Sequence, residues 1–310
     1  MENLCKIIMY HYVRDIKNSD FPGVKGLEKR EFINQINFLK NKFHFVTIEE
    51  VIECIYENRE LSSNSVLLTF DDGLKDHFQN VFPILKQYEI KGSFFVPIKP
   101  IEEKKVLDVH KIHLILAKIR DYNIIIDELK KIISENKEIH KLKTFQEYYE
   151  SIPLQSRYDP KEIIFIKRML QRELPETLRI KIVDELFRKF VINEETDFAE
   201  KFYLNSEEMK EMTESGMYIG SHGYSHEWFT KLSDIELENE INSCVKFAKK
   251  NFGKNDLVMC YPYGGHTTNV TTLIEKMGFK LGLTTNFGDA KLLRSNAFTL
   301  ERFDTNDFPK

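Results

Sequence analysis

The sequence predicts a barrel-like α/β fold that is interrupted by a helical insertion. Short apolar runs alternate with amphipathic segments in the first and last thirds of the 310 residues, which is the pattern of βαβ units and a parallel sheet. Seven or eight such strands can be distinguished, a number typical of α/β barrels. Between residues 100 and 204 the alternation stops, and Lys, Glu, Ile and Leu recur at helical spacing instead.

The first third contains four predicted strands and three predicted helices. The strands are short and apolar, whereas the first helix carries Phe32, Ile36 and Leu39 on one face. In chain order the predicted strands are 4–10, 45–47, 65–70 and 92–96, and the predicted helices are 28–43, 48–56 and 74–88.

After the insertion the same alternation resumes. Ser206 and an acidic first turn open a helix over 206–215, and Gly253 ends a long helix over 233–252. The remaining predicted strands are 217–221, 257–261, 280–284 and 297–302. The insertion itself is predicted to be helical, with breaks near Pro153, Pro160 and Pro175. The predicted domains are therefore a barrel formed by 1–99 and 205–310, and a helical insertion over 100–204.

Composition excludes several functional classes. The net charge of −4 offers no basic surface for nucleic acid, and no segment approaches the roughly 18 apolar residues of a membrane span. The N-terminus has no apolar stretch of signal-peptide length. The four cysteines form no CxxC pair, which argues against a thiolate zinc site. We therefore expect a cytoplasmic protein with reduced thiols and leave its oligomeric state open.

Two carboxylates follow the predicted strand 65–70 directly. Asp71 and Asp72 precede Gly73, at the strand end where α/β barrels place catalytic groups. Neighbouring side chains there diverge, so that one can bind a metal while the other faces a bound water. An equally simple interpretation of this motif alone is a helix N-cap at Asp72 followed by a turn glycine.

Two further motifs follow predicted strands. His222 and His226 are four residues apart and can bind one metal through neutral imidazoles, although such pairs also occur by chance on surfaces. Tyr261, Pro262 and Tyr263 start a tight loop in which a backbone N–H can stabilise an oxyanion. An ordinary strand-to-helix turn would explain that loop equally well if it stood alone.

Together the three motifs resemble those of the NodB-type polysaccharide deacetylases, carbohydrate esterase family 4. Residues 69–73 read Thr-Phe-Asp-Asp-Gly and match the first motif of that family at every position. In the second motif, His-Ser/Thr-x-x-His, Gly223 replaces the Ser/Thr. In the third, Arg-x-Pro-Tyr, Cys260 replaces the arginine, and in the last, Leu-x-His, Thr285 replaces the histidine. The resemblance covers residues 4–99 and 202–302.

The resemblance implies a distorted (β/α)7-type barrel that holds a divalent metal, with zinc the first choice and other divalent metals acceptable. It implies that Asp72, His222 and His226 hold this metal and that Asp71 is the general base. Its third motif would supply the oxyanion donor from the backbone of Tyr263, while the side chains of Tyr261 and Tyr263 would line a sugar subsite.

Two residues could compensate for the departures from the family pattern. His11 follows the first strand, where the sequence is similar to a subset of the family that includes deacetylases of extracellular poly-N-acetylglucosamine. It is expected to act as the acid or to position substrate, or else to be hydrogen-bonded in the barrel rim. Arg302 closes the last predicted strand, which a closed barrel brings near the first, and would there orient Asp71. Its alternative partner is a surface acid such as Asp304.

The function implied by the resemblance is hydrolysis of an N-acyl group, acetyl or formyl, from an amino sugar. Because no export signal is visible, the expected substrate is an intracellular precursor of a surface glycan, carried on a nucleotide or a lipid. The alternative is a catalytically silent carbohydrate-binding protein on the same fold, which the two missing motif residues favour. The retained Asp71 and metal ligands favour the enzyme.

Overall fold

The computed structural model describes residues 3–119, 121–152, 159–253 and 256–310. These residues form two compact units. The barrel unit comprises Met1–Asp15, Lys25–Lys105 and Ala199–Lys310, and the helical unit comprises Ile16–Val24 and Val106–Phe198. The predicted domain boundaries at 100 and 204 stay a prediction, and the helix break predicted at Pro153 lies outside the described residues.

All the described strands belong to the barrel unit. They are β1 (Leu4–Tyr10), β2 (Val13–Arg14), β3 (Leu27–Glu28), β4 (His44–Phe45), β5 (Ser65–Phe70), β6 (Ser93–Val96), β7 (Tyr218–Ser221), β8 (Leu257–Cys260), β9 (Phe279–Leu283), β10 (Ala290–Lys291) and β11 (Phe303–Asp304).

One sheet runs in the order β10-β1-β5-β6-β7-β8-β9, and only β10 pairs in antiparallel fashion. The segment after β10 brings the two sides of this sheet together. Leu300 bridges to Leu283 in β9, and Phe303 in β11 pairs with Ile8 in β1. The sheet therefore curls into the distorted α/β barrel that the sequence predicts.

Helices surround this sheet and make up the helical unit. In the barrel unit they are α1 (Lys29–Lys40), α2 (Ile48–Glu57), α3 (Phe82–Gln87), α4 (Lys99–Glu103), α11 (Ser206–Glu214), α12 (Asp234–Phe252) and α13 (Thr268–Lys276). In and beside the helical unit they are α5 (Asp108–Lys118), α6 (Asn123–His140), α7 (Phe145–Ser151), α8 (Lys161–Arg168), α9 (Glu176–Phe190) and α10 (Glu195–Phe202). None of the described helices is both long and apolar enough to cross a membrane.

Local sequence explains most of these boundaries. Ser233 caps α12 by accepting a hydrogen bond from the N–H of Glu236, whose side chain bonds back to the cap. Gly253 ends the same helix in the left-handed conformation, at φ 60°. All six residues of β5 are buried, which explains its continuous apolar run.

Two predicted elements differ from the structure. The helix predicted over 74–88 is a π-helical turn at His77–Val81 followed by α3, because Pro83 has no N–H to continue a regular ladder. The strand predicted over 297–302 is reduced to the Leu300 bridge and the short β11. There the N–H of Arg302 donates to the carbonyl of Asn286 in a neighbouring loop.

Candidate metal centre and active site

Most of the predicted site residues lie just beyond the carboxyl ends of parallel strands of one sheet, whereas Arg302 directly precedes β11. Backbone hydrogen bonds set their register: the N–H of Asp71 donates to the carbonyl of Tyr10 at 2.9 Å, and the N–H of His222 donates to that of Val96 at 3.0 Å. Groups that are far apart in sequence thereby meet at one end of the barrel.

Asp72, His222 and His226 form a compact, buried group, which we call the triad. The Asp72 Oδ1 atom lies 3.4 Å from the Nε2 atom of each histidine, and the two Nε2 atoms lie 3.2 Å apart. Three acceptor atoms this close repel one another unless a cation, either a proton or a metal ion, lies among them.

The geometry of the triad fits a divalent metal. Ligand atoms about 2.0–2.1 Å from a tetrahedral zinc ion lie about 3.3–3.4 Å from one another, close to the separations observed here. His222 donates through Nδ1 to the carbonyl of Cys260 at 2.8 Å. That bond fixes the tautomer in which Nε2 carries the lone pair that a metal requires.

Left-handed backbone conformations shape both loops that carry the triad. Asp72 has φ 77° and His226 has φ 61°. Between the histidines, Gly223 has φ 77°, and a Cβ there would lie 3.3 Å from both Phe229 and Pro262. A glycine therefore suits this position better than the serine or threonine of the family motif. Glu240 of α12 then fixes the loop by accepting hydrogen bonds from the backbone N–H groups of residues 224 and 225.

Asp71 is held by Arg302 in a buried bidentate ion pair, which we call the clamp. The two terminal nitrogens of Arg302 donate to the two carboxylate oxygens at 2.9 and 2.8 Å. Arg302 also donates to the carbonyl of Thr284 at 2.7 Å and to the hydroxyl of Thr69 at 3.2 Å. The guanidinium thus lies where the sequence analysis expected it, beside Asp71 and not beside Asp304.

Within the clamp, each charged group stabilises the ionised form of the other. Burial alone would raise the pKa of Asp71, but the Arg302 guanidinium lowers it, and the net pKa is about 2. Burial acts to lower the pKa of Arg302, but Asp71 and Cys260 together raise this pKa above its ordinary value. The carboxylate is therefore ionised at neutral pH.

The surroundings of His222 favour a positive charge on its ring. Burial lowers the pKa of His222, whereas Cys260 and Asp72 raise it, and the net pKa lies well above the ordinary value. A field that favours a proton on an imidazole also favours a metal cation in the same place.

Cys260 fills the position of the missing family arginine. Its thiol donates to Asp71 at 3.3 Å, and burial raises the pKa of the thiol above its ordinary value. Asp71, His222 and Cys260 could also group around a cation, since their ligand atoms lie within 4.8 Å of one another. The charge of Arg302 on Asp71 opposes a cation there, so the triad is the better metal site.

His11 lies at the end of β1 and is partly buried. Its carbonyl faces the Nε2 atom of His77 at 3.0 Å. His77 is fully buried, with its ring centroid 5.7 Å from those of Phe70 and Phe94. Burial lowers the pKa of His77 to about 4, so the neutral ring donates to the His11 carbonyl. Sequence reasoning missed His77 because it reads as one more helical residue after the Asp-Asp-Gly turn.

The two predicted tyrosines have different surroundings. Tyr261 is fully buried, and its hydroxyl donates to the carbonyl of Phe298 at 2.9 Å, which argues against the predicted role of its side chain in a sugar subsite. Tyr263 is only partly buried. Its ring stacks on Trp228 and meets His226 edge-on. No sequence motif pointed to Trp228, although it lies two residues after a predicted ligand.

Comparison with known families identifies the family of this chain. The profile described as polysaccharide deacetylase matches residues 58–141 and 187–282, more than half of the chain. The chain belongs to the polysaccharide deacetylase family. The matched ranges include Asp71, Asp72 and both triad histidines.

Other polysaccharide deacetylases are similar along most of their length. YxkH of Bacillus subtilis (strain 168), named as a polysaccharide deacetylase, is 20% identical over 285 residues, which are 92% of this chain and 65% of that protein. The chain thus spans about two thirds of the length of this curated relative.

Solved structures of deacetylases share the fold. Streptococcus pyogenes deacetylase PplD, determined in complex with acetate, superposes with a TM-score of 0.60 at 17% identity, covering 98% of this chain and 93% of the other. IcaB from Ammonifex degensii superposes with a TM-score of 0.59 at 18% identity, covering 98% and 92%.

Proposed function

We propose that this chain is a metal-dependent carbohydrate N-deacylase, a hydrolase that acts on the amide bond of an acylated amino sugar. The observation that carries the proposal is the contrast between two consecutive carboxylates. Asp72 faces two imidazole nitrogens at 3.4 Å, whereas Asp71 is paired with Arg302. A metal ligand and an ionised base therefore lie side by side.

Asp72, His222 and His226 would hold the metal. When bound, a divalent metal supplies Lewis-acid chemistry that polarises an acyl carbonyl and activates water. A site with three protein ligands leaves coordination positions open for water and substrate. Zinc suits this set of two nitrogens and one oxygen, and other divalent metals remain alternatives.

Asp71 would accept a proton from the attacking water. Arg302 holds both carboxylate oxygens, which fixes the orientation of the base and keeps it ionised. In this assignment Arg302, which directly precedes β11, takes the place of the arginine that is missing at Cys260. Because Arg302 is buried and both of its terminal nitrogens bond Asp71, we assign it the role of positioning Asp71.

Two groups would complete the hydrolysis. The backbone N–H of Tyr263 would donate to the oxyanion that forms when water adds to the acyl carbonyl. As the C–N bond breaks, the amine nitrogen takes a proton, and His11 is the residue that we assign to donate it or to position the substrate. The products are a free carboxylic acid and an amino sugar.

The family and the names of the relatives support a carbohydrate substrate. Within this class we propose an N-acetyl or N-formyl amino sugar on a nucleotide or lipid carrier. The cytoplasmic location and the role in making a surface-glycan precursor stay predictions. The absence of the family arginine at Cys260 favoured a catalytically silent carbohydrate-binding protein. Because Arg302 supplies a guanidinium beside Asp71, the clamp supports an enzyme instead.

The deciding experiment is a substrate screen. Purified full chain loaded with zinc is incubated with acetylated and formylated sugar nucleotides, and with N-acetylglucosamine oligomers as a polymer control. Released acetate or formate is measured, with Asp71→Asn and His11→Ala beside the wild type. Acid release that Asp71→Asn abolishes is the expected result. A protein that binds zinc and these sugars but releases no acid from any of them would be the silent carbohydrate-binding protein.

A further inference from the structure

Three aromatic rings form a row at the edge of the triad. The ring of Tyr263 is parallel to the indole of Trp228, with centroids 4.5 Å apart and an interplanar angle of 4°. On its other side, Tyr263 meets the imidazole of His226 at 4.7 Å and 70°. Tyr263 thus joins a proposed metal ligand to Trp228, the single tryptophan of the chain.

The loop that carries Tyr263 has an unfavourable backbone. Tyr263 has φ 57° and ψ 11°, a left-handed conformation that disfavours residues with a Cβ. Gly264 follows with φ 71°, and a Cβ there would lie 2.1 Å from the hydroxyl oxygen of Thr285. Two consecutive residues are therefore left-handed, and the first of them is not a glycine, so the loop needs a restraint from outside.

Trp228 supplies such a restraint by covering the loop. A Cβ placed on Gly265 would lie 3.2 Å from Cε3 of the indole, so the indole rests directly on the backbone. Within the loop, the N–H of Gly264 donates to the carbonyl of Tyr261 at 2.9 Å. This bond defines a tight turn, and the indole of Trp228 packs on the Tyr263 ring that projects from the turn.

We propose that Trp228 is a positioning residue that keeps Tyr263 left-handed, and with it the direction of the Tyr263 backbone N–H. The inference rests on the proposed function, in which this N–H meets the developing oxyanion. If the Tyr263 backbone relaxed to a right-handed conformation, the adjoining peptide groups would rotate and the N–H would point elsewhere. The edge contact with His226 sets the distance between this donor and the metal ligand.

The test compares two substitutions of Trp228. Trp228→Leu removes the stack, whereas Trp228→Phe keeps an aromatic ring. The matched control is Phe287→Leu, which removes an exposed ring that packs on Phe303 at 5.0 Å. The probe is 4-methylumbelliferyl acetate with the zinc-loaded full chain, because its alcohol half carries no sugar and its turnover depends on the acyl centre alone.

We expect Trp228→Leu to lower kcat by about 10- to 100-fold with little change in KM, since loss of one oxyanion donor typically costs about 10²–10³ in kcat. Trp228→Phe and Phe287→Leu should remain within about threefold of wild type, and all variants should keep their zinc. Equal kcat in Trp228→Leu and wild type overturns the proposal. Loss of zinc in Trp228→Leu also overturns it, because the indole would then support His226 and not the loop.

A crystal structure of zinc-loaded Trp228→Leu gives a measurement that does not depend on turnover. Tyr263 is expected to leave the left-handed region. If its φ stays near 57°, Trp228 is not the restraint. If the wild type hydrolyses neither the ester nor any acylated sugar, the proposed function fails, while the conformation of Tyr263 in this variant still decides the role of Trp228.

Discussion

Asp71 and Asp72 are consecutive and nearly fully buried, yet their neighbours give them different chemistry. Asp71 faces Arg302, whose guanidinium is always protonated. Asp72 faces His222 and His226, whose charge depends on a proton or a metal. A carboxylate that is already paired with a guanidinium does not readily bind a second cation. A carboxylate that lies among neutral imidazoles, in contrast, requires a cation. In the function that we propose, Asp71 of the clamp would be the base, and Asp72 of the triad would be a metal ligand.

The largest expected effect is that of removing a ligand atom from the triad while the clamp stays intact. His226→Ala removes a ligand atom that lies 3.2 Å from the Nε2 atom of His222, so we expect loss of bound metal and of all activity. Metal content is measured by elemental analysis after dialysis against a weak chelator. A metal content equal to that of the wild type in this variant would contradict the assignment of the triad.

The converse substitution acts on the clamp. Asp71→Asn should keep the metal, since the triad is intact, and should lose turnover by about 10²–10⁴-fold, the typical cost of removing a positioned base. The elemental analysis used for His226→Ala is repeated here, together with kcat on a substrate from the screen. Near-normal turnover would mean that a group other than Asp71 accepts the proton.

A smaller loss of activity is expected when the clamp loses its cation. Arg302→Ala should lower kcat by about 10²-fold, because misplacing a catalytic group by about 1 Å can have that effect. It should also destabilise the fold by about 3–5 kcal/mol, since a buried carboxylate is left without its partner. Metal content should not change.

Arg302→Lys and Asp304→Ala provide the comparison for Arg302→Ala. The lysine keeps the charge but cannot bond both oxygens of Asp71, so its kcat should lie between those of the wild type and Arg302→Ala. Asp304→Ala should keep wild-type kcat. If Arg302→Ala is folded, binds metal and keeps most of its kcat, Arg302 has no part in the reaction.

A smaller effect is expected on the pH dependence of stability. It concerns His77, whose ring bonds the carbonyl of His11. Burial lowers the pKa of His77 from 6.5 to about 4, so below about pH 6.5 the unfolded chain takes up a proton that the folded protein excludes. This group therefore lowers the free energy of unfolding as the pH falls from 6.5 to 4.

His77→Phe should lose that contribution, so its unfolding free energy should depend less steeply on pH over the same range. Urea unfolding of metal-free protein at several pH values measures the slope. His44→Phe, at an exposed histidine, is the matched control. Parallel slopes for His77→Phe and wild type would show that His77 does not account for the acid sensitivity.

The smallest expected effect is the change in metal content when residues 106–198 of the helical unit are removed. Lys104 pairs with Glu200, so the two ends of the excised segment are close together. Replacement of 106–198 by a short Gly/Ser linker is therefore feasible, with Phe21→Ser to remove a ring that packs on Phe198 at 5.9 Å. Both the clamp and the triad lie in the barrel unit, so metal binding should survive better than substrate selection. A folded truncated protein without metal would place part of the site in the deleted segment.

The sequence predicted those parts of the fold that depend on local patterns. β1 and β5 have the predicted bounds, because buried apolar runs flanked by polar residues identify such strands directly. The π-helical turn at His77–Val81 and the reduced last strand depend on hydrogen bonds to distant segments, which no local pattern contains.

The candidate site shows the same limit. The positions of Asp72, His222 and His226 could be predicted from motifs, and the place of Arg302 followed from closure of the barrel. The thiol contact of Cys260 with Asp71 and the stack on Trp228 could not be predicted. Each depends on how side chains from separate strand ends meet, and this becomes visible only when the strands are in register.

The clamp also bears on how inactive members of such a family are recognised. In a ring of strands, a carboxylate at one strand end has neighbours on two sides, and its guanidinium partner can come from either. The contact between Arg302 and Asp71 spans 231 residues of sequence, although only β1 separates β5 from β11 in the sheet. A chain should therefore be judged a pseudoenzyme by whether any strand end supplies the missing charge, and not by whether one motif position has kept its arginine.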